Sequence, residues 1–159
     1  MRRKDRQVSG MEEIKTIIDK CKVCHIAMTD KGLPYVVPLN FGYTLVDKTL
    51  TLYFHSAREG RKIDILHENK SVCFEMTFEG RLHQVENPCS SGYFFESVIG
   101  FGEAAFVDDV DEKCRALALL MTHQTNQKFS FTQQQADSVC VFRVVSADFT
   151  GKKKPDPNK

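Results

Sequence analysis

The chain has 159 residues, of which 42% are apolar and 27% charged, and its formal net charge is +1. That is enough for one domain with a sizeable core, and the near-neutral balance argues against a nucleic-acid or membrane-surface partner. No apolar run approaches the ~20 residues that cross a bilayer. The basic start, Arg2, Arg3, Lys4 and Arg6, is not followed by the apolar stretch of a signal peptide. The expectation is a cytoplasmic protein whose six cysteines are reduced thiols. Residues 1–8 and 151–159, rich in Lys and Arg, read as flexible tails of a single domain over 1–159.

In chain order, Met11 to Lys20 carries Met11, Ile14, Ile17 and Ile18 at helical spacing and predicts a short amphipathic helix. Val23 to Met28 is a short strand closed by the turn signal Thr29-Asp30-Lys31-Gly32. Tyr35 to Tyr43 is a second strand and Leu50 to His55 a third, and the three read as an antiparallel meander. Ser56 to Glu68 switches to helical spacing, with Ser56 and Glu59 spelling the S-x-x-E capping box of a helix start. Ser71 to Phe78 is another strand, and Arg81 to Gly92 reads as a loop. Tyr93 to Val107 is one long strand or two bent ones. Gly100 and Gly102 within it point to a bulge or a close backbone approach. Asp108 to Thr122 is a helix and Val139 to Val145 a last strand. Many short strands and few helices predict a mainly β, α+β domain: an antiparallel closed or split barrel with flanking helices.

The sharpest chemical signal runs from Phe54 to Lys62. A strand ends at His55, a helix is expected to begin near Ser56, and Arg58, Arg61 and Lys62 crowd its first turns. A helix N-terminus is already positive, so cations there make sense when an external anion shares the site. Free N–H groups, the Ser56 hydroxyl and the basic side chains would then converge on a phosphate, with Gly60 leaving room for it. Solvated charges, with Arg58 paired to Glu59 or Asp64, explain the same pattern. Pro38, inside a strand-like run, marks an edge strand or a position beside a ligand.

Four blocks in this order carry a resemblance. They are Pro34-Tyr35-Val36-Val37-Pro38-Leu39-Asn40-Phe41-Gly42-Tyr43, Leu52-Tyr53-Phe54-His55-Ser56-Ala57, Glu59-Gly60-Arg61-Lys62-Ile63-Asp64 and Glu96-Ser97-Val98-Ile99-Gly100-Phe101-Gly102. Together they resemble the pyridoxamine 5'-phosphate oxidase-like family, in the branch that includes the 5-nitroimidazole-resistance proteins. The resemblance implies an FMN-binding split barrel acting as a homodimer, with the flavin at the subunit interface and a small-molecule substrate. It implies FMN ahead of FAD or haem. Arg61 and Lys62 match the basic pair at the FMN phosphate, and Phe54, His55 and Ser56 match the strand end before it. Val36, Val37, Pro38, Leu39 and Asn40 match the strand along the isoalloxazine ring, and Ser97 matches a polar position on a later strand. His55 is the candidate catalytic residue. The implied activity is a flavin-dependent oxidoreductase acting on an electron-poor acceptor. True pyridoxamine phosphate oxidase activity is not expected, because the chain has no Trp and its Arg-x-His, Arg81-Leu82-His83, lies mid-chain.

Cys21-Lys22-Val23-Cys24-His25 spells C-x-x-C-H, the c-type haem pattern. With no export signal and no further ligands at matched spacing, neither covalent haem nor a metal is expected. The alternative to an enzyme is a module that stores or senses flavin or haem, with His55 or His25 as an axial ligand. His123 reads as a packed histidine, and Glu75 and Glu96 as strand glutamates that face water or line a pocket.

Overall fold

The computed structural model describes residues 3–154, except for the side chain of Glu79. Eight strands are present: β1 (Gln7–Val8), β2 (Val23–Asp30), β3 (Leu33–Asn40), β4 (Gly42–Val46), β5 (Thr49–Ser56), β6 (Ser71–His83), β7 (Gly92–Phe106) and β8 (Cys140–Lys154). Four helices flank them: α1 (Met11–Lys20), α2 (Arg61–Glu68), α3 (Val110–Thr125) and α4 (Gln133–Asp137). All pairings are antiparallel, and the sheet runs β3-β2-β6-β7-β8-β5-β4, with β1 added to β8. This is the expected α+β split barrel.

The core fills the inside of the curved sheet. Ile14, Ile17 and Ile18 close it from α1, which is why that helix reads so clearly as amphipathic. Inward residues alternate along each strand: Cys24, Ile26 and Met28 on β2, Leu50, Leu52 and Phe54 on β5, Val72, Phe74 and Met76 on β6. A smaller cluster, built on Val107, Ala116, Leu117, Ala136 and Val141, seats α3 and α4 on the outer side.

Several expectations change. The run from Tyr35 to Tyr43 is two strands, because Phe41 turns fully into the core between them. There it meets the rings of Phe54 and His123. As a result β3 and β4 lie at opposite ends of the sheet, and the meander becomes two separate hairpins. Two stretches expected as tails are paired strands: Gln7 lies opposite Lys152 and Val8 opposite Gly151. Val8 is buried, and β8 continues on β7 as far as Lys154. Residues 1–2 and 155–159 of those stretches lie outside the described residues. Arg81 to His83 extends β6 rather than opening a loop. α4 was not foreseen, although Thr132 and Gln135 form a reciprocal capping box. The bulge is present: the β7–β8 register shifts between Phe101 and Glu103.

Candidate functional site

The helix expected at Ser56 begins later, at Arg61. Gly60 is its N-cap, with φ at +135° and ψ at 161°, a conformation that only glycine adopts readily. No Cβ clash would arise there, so Gly60 is needed for its backbone shape and not for space. The Ser56–Glu59 capping box does not form. Ser56 is buried, and its hydroxyl donates to the Ala57 carbonyl at 2.7 Å. Gly60 accepts instead from the N–H groups of Ile63 and Asp64.

This turn delivers the basic residues to different places. The Arg61 guanidinium leans to the tip of the β2–β3 hairpin, where Nε donates to Asp30 Oδ2 at 2.9 Å. The group also lies 4.5 Å over the Tyr35 ring. Arg58 and Lys62 have no hydrogen-bond or ion-pair partner among the described residues. The expected Arg58 pairing with Glu59 or Asp64 is therefore absent. The Cys140 thiol on β8, directly opposite Ser56, senses both cations. Burial raises its pKa, and Lys113, Lys62 and Arg58 pull it back down.

β3 is an edge strand, bonded only to β2, which accounts for Pro38 opposite His25. Its residues alternate: Val37 and Leu39 pack against the core, whereas Val36, Pro38 and Asn40 face outward. Tyr35 places one end of β3 against Arg61. Asn40 lies at the other end, donating to the Lys22 carbonyl at 3.0 Å and to the Gln124 side chain at 3.2 Å. Phe54 is wholly in the core, stacked on Phe142 at 5.1 Å. His55 alternates to the opposite side of β5 and is exposed. Ser97 sits on β7 between Thr77 and Lys152. The β8 rungs of Ser56 and Ser97 are Cys140 and Lys152, which are 152 − 140 = 12 residues apart. That is about 40 Å of extended chain. Within one chain, then, Arg61 meets the Tyr35 end of β3, Ser56, Gly60 and Lys62 belong to the turn that carries Arg61, and Asn40 and Ser97 lie on other parts of the sheet.

Asp30 was not foreseen as part of this site. It reads as a turn residue, and its contact with Arg61 spans 31 positions, so no local pattern could reveal it. The donors at the start of α2 suit a phosphate: the helix N-terminus and the remaining Arg61 N–H groups lie next to the Tyr35 end of β3, and Arg58 and Lys62 flank the same turn. The three side chains of the C-x-x-C-H segment do not gather in one place. Cys21 and Cys24 are buried, and burial pushes the Cys21 thiol up to about 12 and the Cys24 thiol higher still. His25 points to the other face of β2, with Nδ1 3.2 Å from Glu75 Oε2. Among the described residues no cluster of His, Cys, Asp or Glu could hold a metal ion. No helix is long and apolar enough to cross a membrane.

Comparison with known proteins finds the same fold among solved structures. A crystal structure from Bacteroides thetaiotaomicron, described as a candidate 5-nitroimidazole antibiotic resistance protein, is 36% identical, with a TM-score of 0.79 over 92% of this chain and 86% of that one. The flavocytochrome Anf3 of Azotobacter vinelandii shares the fold at 20% identity, with a TM-score of 0.80 over 99% and 73% of the two chains. An FAD- and haem-binding protein of Mycobacterium smegmatis shares it at 16% identity, with a TM-score of 0.78 over 95% and 74%. No curated protein matches. The family model described as pyridoxamine 5'-phosphate oxidase matches residues 11–153. The chain therefore belongs to the pyridoxamine 5'-phosphate oxidase-like family.

Proposed function

We propose that this chain is a flavin-dependent oxidoreductase holding an FMN moiety at the start of α2 and reducing a small electron-poor acceptor of the nitroimidazole kind. The observation that carries this reading is the pair of cations, Arg58 and Lys62, that have no partner among the described residues, beside Arg61 at a helix start. Such an arrangement leaves positive charge for an incoming phosphate. The free edge of β3 runs from the same place and offers unpaired backbone groups to a planar ring. A bound flavin would supply the electron transfer, and the chain supplies binding and orientation. Arg61 would orient the phosphate with Asp30 and Tyr35 holding its guanidinium. His55, exposed at the strand end, is the side chain we assign to proton exchange with the acceptor. The absence of Trp from the sequence keeps this reading apart from true pyridoxamine phosphate oxidase activity.

The same reading has a homodimer with flavin at its interface, in the cytoplasm. It is supported by the outer face of the sheet, where Val36, Ile99, Phe101 and Val145 are exposed. A second copy would also bring a Ser97 to a site that its own chain cannot reach. Sedimentation of the purified protein tests this, and a monomer at micromolar concentration would refute it.

The visible spectrum of the purified protein, before and after FMN and dithionite, tests the flavin reading. The expected result is a flavin band that bleaches on reduction, followed by turnover of a nitroimidazole with a reduced nicotinamide donor. A protein that takes up no flavin refutes the cofactor. A flavin-loaded protein that reduces no acceptor refutes the oxidoreductase.

A further inference from the structure

The turn before α2 also borders a cavity of about 300 Å3, formed by α2, the end of β7, the start of α3 and the start of β8. Arg58 lines it, and neither Arg61 nor Lys62 does. Its floor is apolar, with Ile63 of α2 and Val107 and Val141 all buried. His67 of α2 and Phe106 of β7 add an aromatic wall, stacked on each other with ring centroids 4.3 Å apart and 25° between planes. Into this setting α3 sends Lys113, whose side chain is only 13% exposed. Among the described residues its ion-pair partner is Asp137, half exposed and 3.5 Å away. An ammonium carries three N–H donors, and one drawn out of water needs close acceptors. Lys113 therefore holds donors in reserve at an apolar and aromatic cavity.

We propose that this cavity is a binding site for a small aromatic monocarboxylate, its ring against His67 and Phe106 and its carboxylate on Lys113. Charge sets the valence of the ligand. The charged side chains of the lining are Arg58, Lys113 and Asp108, two cations and one anion, which leaves one positive charge to be matched. A phosphate dianion would exceed that and set a second negative charge against Asp108. Size sets the body of the ligand. The volume lies at the small end of the ~300–1,000 Å3 typical of small-molecule sites, which suits a single ring with its substituent. An aromatic ring gains more from the His67–Phe106 wall than its buried area alone would give. A carboxylate on the sheltered Lys113 ammonium forms a charge-assisted hydrogen bond, stronger than the long contact to a half-exposed Asp137. Burial does most to raise the Cys140 pKa, and the thiol then responds to Lys113, to Lys62 from outside the lining, to Asp108 and to Arg58. The three charges of the lining thus bear on one place, and Cys140 reports on it. The contact of Arg61 with Asp30 and Tyr35 lies outside this cavity, so the inference stands apart from the flavin reading.

Calorimetric titration of the purified protein with benzoate tests the site. The expected dissociation constant lies below about 1 mM, and benzamide, uncharged and of the same shape, should bind at least about tenfold more weakly. Lys113→Gln should weaken benzoate by about tenfold or more, with a melting curve to show that the variant is folded. In wild type, benzoate should slow alkylation of Cys140 by iodoacetamide, read by mass spectrometry, and leave the exposed Cys89 unaffected. Saturating FMN should not displace benzoate. Absence of benzoate binding overturns the proposal, as does benzamide binding equally well or a folded Lys113→Gln variant that keeps wild-type affinity. Displacement of benzoate by FMN, or binding that leaves Cys140 as reactive as before, places the anion outside this cavity and overturns it too. If Lys113→Gln does not fold, the benzamide comparison and the protection of Cys140, both made on wild type, decide the matter.

Discussion

Two regions rich in polar chemistry compete for attention in this sequence, and the fold treats them in opposite ways. Around Cys21-Lys22-Val23-Cys24-His25 the polar groups are satisfied within the chain. His123 Nε2 donates to the Cys21 carbonyl at 2.8 Å, and Asn40 and Gln124 donate to the Lys22 carbonyl at 3.0 and 3.1 Å. The Lys22 ammonium donates to the His123 and Asp19 carbonyls, and the Tyr43 hydroxyl to Asp19 Oδ1 at 2.6 Å. At the start of α2 the reverse holds: among the described residues Arg58 and Lys62 stand without partners, and Arg61 alone has found an acid. A motif whose donors and acceptors are already matched has nothing left to offer a ligand, whereas unmatched charge beside a helix start does. The structure thus separates the two regions by hydrogen-bond satisfaction, which residue spacing does not reveal.

The largest expected effect tests the open region. Arg61→Ala combined with Lys62→Ala should leave the melting temperature close to that of wild type, since both side chains lie outside the core. Flavin phosphate binding should fall by about 1.5–3 kcal/mol for each lost charge-assisted contact, on the order of a hundredfold or more for the pair. Riboflavin, which has no phosphate, should lose nothing. Undiminished FMN affinity in the double variant would move the phosphate site elsewhere. The closed region should answer the other way round. His123→Ala leaves the Cys21 carbonyl unpaired and removes a ring that lies 4.6 Å from Phe41 and 5.3 Å from Tyr43. The expected cost is about 1–3 kcal/mol of stability in urea unfolding, with flavin affinity unchanged. A stable variant with weakened flavin binding would erase the distinction drawn between the regions.

How much of this was legible depended on whether the determining contacts were local. α1 was readable because its three isoleucines share one face and all three are buried. The bulge in β7 was readable from Gly100 and Gly102, since a Cβ at either would clash within 2.7 Å with Phe74, Phe149, Asp148 or Val145. The start of α2 was misplaced because S-x-x-E is a local pattern, while the chain spends Ser56 on the Ala57 carbonyl and turns at Gly60. The break at Phe41 was hidden because alternation continues through it, and only the packing of its ring between Phe54 and His123 separates β3 from β4. The basic cluster could be named from sequence, but its division could not. The pull of Asp30 and Tyr35 on Arg61, and the place of Arg58 beside the cavity between α2 and β8, arise only when distant segments meet.

The smallest expected effect sharpens the closed side of the comparison. Burial lowers the pKa of His123 below its ordinary 6.5; the Cys21 carbonyl pushes it up, nearby Lys22 pushes it down and Asp19 pushes it up. In the unfolded chain the same ring titrates near its ordinary value. Above that value both states hold a neutral ring, and pH has no effect through this group. As pH falls through about 6.5 the unfolded chain takes up a proton that the folded ring still refuses, so stability is lost until the lowered native pKa is passed. His123→Gln keeps an N–H that can reach the Cys21 carbonyl but cannot titrate. The stability difference between wild type and this variant should be constant above about pH 7 and shrink in wild type's disfavour between pH 6.5 and 5.5. The other ionisable groups are common to both proteins and cancel in the difference. A difference that stays flat across that range would mean that the folded protein does not hold His123 neutral, and that this region is more open to solvent than its hydrogen bonds imply.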